Sequence, residues 1–115
     1  YVRKNKDLKV YMLIGRYTFS SGMFAIFRIR EAAPGVVAIG EATGGAIDCY
    51  GDVRSFMLPN SGIPINYSTK YFSLSKVYGY KSDSYECFKP DVELLPSFDD
   101  YKAGIDPVLE YAFTN

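Results

Sequence analysis

An apolar run from Val10 to Ile14, ended by Gly15-Arg16 and followed at once by Thr18, Ser20 and Ser21, most constrains what this chain can fold into. Its length and β-rich composition suit a buried central strand. The hydroxyls stand where a helix would begin. From Ser21 onward Met23, Phe24, Ile26, Phe27, Ile29, Ala32 and Ala33 alternate with Arg28, Arg30 and Glu31, which is the pattern of a broad apolar helix face packed on a sheet. Pro34-Gly35 closes that helix, Val36 to Ile39 reads as a second strand, and Gly40 to Gly45 forms a glycine-rich loop. Strand, helix and strand predict a right-handed parallel unit, so the class is α/β. In such a unit Ser20 and the Gly40–Gly45 loop emerge together beyond the carboxyl ends of the strands.

A Ser-Ser pair ahead of a helix ordinarily caps free backbone N–H groups. The same unpaired N–H groups favour negative charge, so this end of the helix also suits a nucleophile and the oxyanion it creates. The glycine-rich loop is not a phosphate cradle. It lacks dinucleotide-fingerprint spacing and the Gly-Lys-Ser/Thr ending of a P-loop, and it opens no clear helix. Glu41 within it is expected to be a satisfied structural carboxylate.

Leu13-Ile14, Arg16, Thr18-Phe19-Ser20-Ser21, Val36-Val37 and Gly40-Glu41-Ala42-Thr43-Gly44-Gly45 together resemble the C-terminal-processing, or tail-specific, serine peptidase family, including its tricorn-core-like branch. A weaker likeness continues through Lys89-Pro90-Asp91-Val92 and Gly104-Ile105-Asp106-Pro107-Val108-Leu109. The resemblance implies a crotonase/ClpP-like core of repeated β-β-α units, of which residues 1–115 would be the C-terminal portion within one catalytic domain. It implies Ser20 as the nucleophile and the Ser21 backbone N–H as part of an oxyanion hole, with Gly44 and Gly45 lining a peptide groove. It further implies a peptide or protein substrate, no cofactor or metal, and a cell-envelope or secreted setting. The acidic residue that the family carries shortly after the nucleophile is absent, because Gly22-Met23-Phe24 continue the helix.

A serine hydroxyl needs a partner to take its proton. In the tail-specific branch a lysine follows the Gly-Glu loop, but Ala46 holds that position here, followed by Ile47 and Asp48. The tricorn-like branch uses an upstream histidine, and this sequence contains none. Three readings follow. The base lies in an N-terminal remainder of the same protein, or the base is lost and the chain binds peptides or serves assembly, or Lys70 or Lys76 folds back onto Ser20. For the downstream acid of the tricorn-like relay, Glu86 and Asp83 lie in the right general part of the chain.

The 13 basic and 13 acidic residues cancel and form no long block, which disfavours a nucleic-acid partner. No apolar run approaches the roughly 20 residues of a membrane span. The first residues, Tyr1 to Asp7, read as a polar, basic lead-in without the apolar core of a signal peptide. With 48% hydrophobic residues the chain can bury a core, though 115 residues is short for an α/β enzyme.

Further on, Val53 to Leu58 and Ile63 to Leu74 read as a hairpin around Pro59-Asn60-Ser61-Gly62. The tyrosines from Tyr67 to Tyr85 are expected to be half-buried strand residues. Cys49 and Cys87 lack metal-ligand spacing, and stand either as free thiols or as a disulfide in an exported parent. Lys89 to Leu95 reads as an edge strand. Ser97-Phe98-Asp99-Asp100 and Asp106-Pro107 each start a short helix. Peptide hydrolysis through an acyl-enzyme on Ser20 is the function this reading implies, against a catalytically inactive binding module or an esterase on the same fold.

Overall fold

Alternation of side chains decides how β1 (Tyr11–Ile14) sits: Met12 and Ile14 are buried beneath α1 (Ser21–Ala32), while Leu13 points the other way and is 46% exposed. This is a computed structural model, and it describes residues 4, 5, 7–81 and 86–115. Tyr1, Val2, Arg3 and Lys6 of the basic lead-in, and Asp83 and Tyr85, lie outside the described residues. β1 pairs in parallel with β2 (Val37–Gly40), which pairs in parallel with the short β5 (Val92–Glu93). The sheet order is β1-β2-β5. The centre therefore belongs to β2, not to the Val10–Ile14 run expected there. Ala38 and Ile39 are fully enclosed on opposite faces of β2, whereas Leu13 leaves one face of β1 open.

The helix buries Met23, Ile26 and Phe27, at spacings of three and four residues, against Met12, Ile14, Ala38, Ile47, Leu74 and Phe88. Each such side chain contributes about 2 kcal/mol by leaving water. The apolar face is narrower than the sequence suggests, because Ile29 is 37% exposed and Ala32 is exposed. Arg30 continues the same stripe. It forks onto both Asp91 carboxylate oxygens at 2.8 and 2.7 Å and lies over the Phe88 ring, 4.7 Å from its centroid. Asp91 in turn accepts from the Ala38 N–H at 2.8 Å, which ties β5 to β2.

β3 (Cys49–Met57) and β4 (Pro64–Phe72) form the expected antiparallel hairpin, with β3 starting earlier than the sequence suggests. Gly62, at φ +69°, turns the loop, and the Leu58 N–H donates to the Ile63 carbonyl. Of the tyrosines expected to be half-buried, Tyr78 is so, whereas Tyr71 at 49% and Tyr67 at 47% are more exposed, as is Tyr50, the cross-strand neighbour of Tyr71, at 73%. This hairpin projects from the body. The molecule measures 58 × 38 × 28 Å, with a radius of gyration of 17.9 Å, against about 13 Å for a compact chain of this length. Two-stranded ribbons are marginal in water without a packed face. Backbone amides of Val53–Met57 are thus expected to exchange with deuterium at least about a hundred-fold faster than those of β2. Equal protection in the two segments would show that the ribbon is held by more than its own ladder.

The second strand stops short of Leu74 because Asp48 turns the chain into α2 (Leu74–Val77). The buried Asp48 carboxylate accepts from the Ser73 hydroxyl at 3.2 Å, the Ser75 N–H at 2.8 Å and the Ser75 hydroxyl at 2.7 Å. Burial pushes this carboxyl up, but the donors from Ser75 and Ser73 outweigh it and hold it below its ordinary value of 3.8. A carboxyl that titrates lower in the folded chain lends stability in full above its unfolded pKa and loses it as pH falls through the folded one. Asp48→Asn is expected to cost about 1–2 kcal/mol at pH 7 in urea unfolding, with the gap to the native chain shrinking at pH 3. A gap unchanged by pH contradicts this role. The C-terminal helices α3 (Phe98–Ala103) and α4 (Pro107–Thr114) start on the Ser97–Asp100 capping box and the Asp106 cap, as the sequence predicts.

Candidate active site

Thr18 holds the turn between β1 and α1. Its N–H donates to the Gly15 carbonyl at 2.7 Å, its Oγ1 accepts from the Gly15 N–H at 3.2 Å, and its carbonyl accepts from the Gly45 N–H at 3.3 Å. The turn delivers Ser20 to the first position before the helix in an unusual conformation, φ 52° and ψ −117°. Residues with a Cβ rarely adopt this geometry, which costs about 1–3 kcal/mol and persists only where the surroundings enforce it. Ser20 does not cap the helix, since its hydroxyl makes no hydrogen bond with any described residue and is exposed. The capping role that its position suggests is therefore absent.

The Ser21 backbone N–H likewise has no acceptor among the described residues, while Gly22 and Met23 donate back to the Phe19 and Ser20 carbonyls at 2.9 and 3.0 Å. No acidic residue occupies the first turn of α1, so no side chain offsets the positive end of its dipole. An exposed hydroxyl and a free N–H thus adjoin at a helix N-terminus, as a nucleophile and an oxyanion donor would.

The Gly40–Gly45 loop holds that turn from behind. Gly40, at φ +124°, lies where a Cβ would come 2.1 Å from the Ile14 carbonyl oxygen, and the Glu41 N–H donates to that oxygen at 3.1 Å. At Gly44 a Cβ would meet the Arg16 carbonyl oxygen at 1.9 Å, and at Gly45 it would meet the Phe19 Cβ at 2.9 Å. These glycines, read from sequence as lining a groove, permit close backbone contact with the serine turn. Thr43 is what the sequence reading missed. Its buried Oγ1 accepts from the Phe88 N–H and donates to the Gly45 carbonyl, both at 2.9 Å, and its N–H donates to the Phe88 carbonyl at 2.9 Å.

No residue of the described chain meets Ser20 as a base. Lys70 pairs instead with Asp52 at 3.0 Å, and Lys76 is exposed on α2. Glu86 is exposed and engages through its backbone, its carbonyl accepting from the Ile47 N–H at 2.8 Å. Cys49 and Cys87 are free thiols, not a disulfide, and burial followed by the Asp48 charge pushes the Cys49 thiol up. The Glu41 carboxylate, expected to be satisfied, has no hydrogen-bond or ion-pair partner among the described residues. It shares a cleft with Leu13, Ile14, Pro96, Ile105 and Val108, and with Tyr101 and Asp106. Among the described residues no group of acidic, cysteine or histidine side chains is arranged to hold a metal, and no helix is long and apolar enough to cross a membrane.

The fold has a solved counterpart. The chain matches the crystal structure of a "putative peptidase" from Parabacteroides merdae with a TM-score of 0.63 and 24% identity, over 91% of this chain. It spans 30% of that protein's length. At this identity the likeness establishes a shared fold. No family model matches the sequence, and no curated protein matches it.

Proposed function

We propose that this chain forms part of a serine endopeptidase of the tail-specific, C-terminal-processing type, with a core resembling part of a crotonase/ClpP-like domain. The observation that carries the reading is Ser20, a non-glycine residue held at φ 52° on a strand-to-helix turn with its hydroxyl exposed. Strain of this kind concentrates at functional sites, and a sharp strand-to-helix turn is also how α/β-hydrolases present a nucleophilic serine. In the proposed step the Ser20 Oγ attacks a peptide carbonyl carbon and passes its proton to a general base. The carbonyl oxygen takes the negative charge beside the Ser21 N–H. Collapse of that intermediate expels the amine, protonated by the same base, and leaves an acyl-enzyme that water hydrolyses.

The base comes from outside this chain. The sequence has no histidine, and no described lysine bonds to Ser20. The share of the Parabacteroides merdae protein that the chain matches leaves ample sequence elsewhere in such a protein to provide one. A second reading, an inactive peptide-binding or assembly module, is favoured by the lack of any described partner for the Ser20 hydroxyl. The two separate on turnover. The protein produced from its full reading frame is expected to degrade unstructured polypeptide, with a loss of roughly a thousand-fold or more in Ser20→Ala. Binding without cleavage in both proteins supports the module, and cleavage of small activated esters alone supports an esterase.

A further inference from the structure

Beyond the carboxyl ends of β1 and β2, between the sheet and the two C-terminal helices, lies a cleft of about 430 Å³. Leu13, Ile14, Pro96, Ile105 and Val108 supply apolar walls, and Tyr101 adds a ring with a phenol hydroxyl. Glu41 supplies a carboxylate. Its backbone is fixed, because the Glu41 N–H donates to the Ile14 carbonyl and the preceding Gly40 carbonyl accepts from the Leu94 N–H at 3.0 Å. The ion pairs among the described residues, Arg30–Asp91 and Lys70–Asp52, leave Glu41 out. Asp106, also in the lining, is engaged through one oxygen, Oδ1, with the Val108 and Leu109 N–H groups that it caps.

We propose that this cleft receives the basic side chain, lysine or arginine, of a bound polypeptide, with Glu41 as its counter-ion. The inference rests on the polypeptide-binding reading above and adds the residue class that is recognised. A half-buried carboxylate bordered by apolar groups gains more from a cation than one in open water, since the local dielectric is lower. Lysine and arginine carry that cation on a methylene stem, which matches apolar walls beside the carboxylates of Glu41 and Asp106. The volume lies within the range of pockets that enclose small ligands. An acidic side chain is repelled, and a purely apolar one leaves Glu41 partly desolvated without a partner.

The test is binding, measured without turnover. Acetylated, amidated tripeptides Ala-Lys-Ala, Ala-norleucine-Ala and Ala-Glu-Ala are titrated into the ¹⁵N-labelled protein produced from its full reading frame. The lysine peptide is expected to bind about ten-fold tighter than the norleucine peptide, shifting amides of Glu41 and Ile105, with the glutamate peptide weakest. Glu41→Gln, checked for an unchanged spectrum elsewhere, is expected to remove the lysine preference and keep the norleucine affinity, and Glu41→Lys to favour the glutamate peptide. Equal affinities in the native chain, no binding of any peptide, or shifts away from the cleft overturn the proposal. So does putrescine binding as tightly as the lysine peptide, which would make the site one for free amines. Because no step here uses Ser20, a native chain without a lysine preference but with Ser20 chemistry intact overturns this proposal alone, and a lysine preference without Ser20 chemistry overturns only the peptidase reading.

Discussion

A Gly40→Ala chain is expected to lose about 3–5 kcal/mol of stability, a large fraction of the roughly 5–15 kcal/mol that holds a domain folded. Two independent costs meet at this residue. Its φ of +124° belongs to a region that L side chains rarely adopt, and the added Cβ would stand 2.1 Å from the Ile14 carbonyl oxygen. The neighbour is backbone of β1, hydrogen-bonded in turn to the Glu41 N–H at 3.1 Å, so it has no rotamer through which to yield. Urea unfolding followed by circular dichroism measures the loss. A loss below about 1 kcal/mol would mean that β1 and β2 can separate at their carboxyl ends at little cost. In that event the Gly40–Gly45 loop does not brace the serine turn.

Ser20→Gly is expected to act in the opposite direction, raising stability by about 1 kcal/mol while deleting the hydroxyl. Releasing a side chain from φ 52° and ψ −117° recovers about 1–3 kcal/mol of strain. Part of that gain is offset by the larger conformational entropy that glycine gives the unfolded chain. Ser20→Ala retains the Cβ and therefore the strain, so its stability is expected to stay within about 0.5 kcal/mol of the native chain. The pair separates strain from chemistry, since both variants lack a nucleophile but only the glycine one relaxes the turn. Equal stabilities for the two would show that Ser20 is unstrained, which removes the observation on which the proposed nucleophile rests.

Local features of the fold were legible where one stretch of sequence carries the whole cause. Ser97 and Asp100, three residues apart, form the capping box, and Asp106-Pro107 starts the last helix, because caps are made within one turn. The parallel β1-α1-β2 unit follows from periodicity and handedness in the same way. What was not legible depends on residues far apart in sequence. Asp91 meets Arg30 across 61 positions, Thr43 meets Phe88 across 45, and Asp48 meets Ser75 across 27. Strand order has the same character. The Val10–Ile14 run has the composition of a central strand but lies at an edge, since order is set by what β2 and β5 do.

At the site, the residue types at Thr18, Ser20, Gly44 and Gly45 pointed to a turn and a loop that meet, and they do. The positive φ of Ser20 had no signal in sequence, because a serine is written the same way whether relaxed or strained. Sequence predicts a satisfied structural carboxylate at Glu41, since buried polar groups generally find partners. The cleft around it, whose walls come from β1 and the C-terminal segment, includes the Tyr101 phenol, but no described residue bonds to the Glu41 carboxylate.

The central claim is that Ser20 is an activated nucleophile, and a covalent probe tests it most directly. The protein produced from its full reading frame is treated with a fluorophosphonate, its intact mass is recorded before and after, and the adduct is mapped by peptide sequencing. The account predicts one adduct, on Ser20, absent from Ser20→Ala and from Ser20→Gly. A protein that stays unlabelled, or carries its adduct on another residue in all three forms, would contradict it.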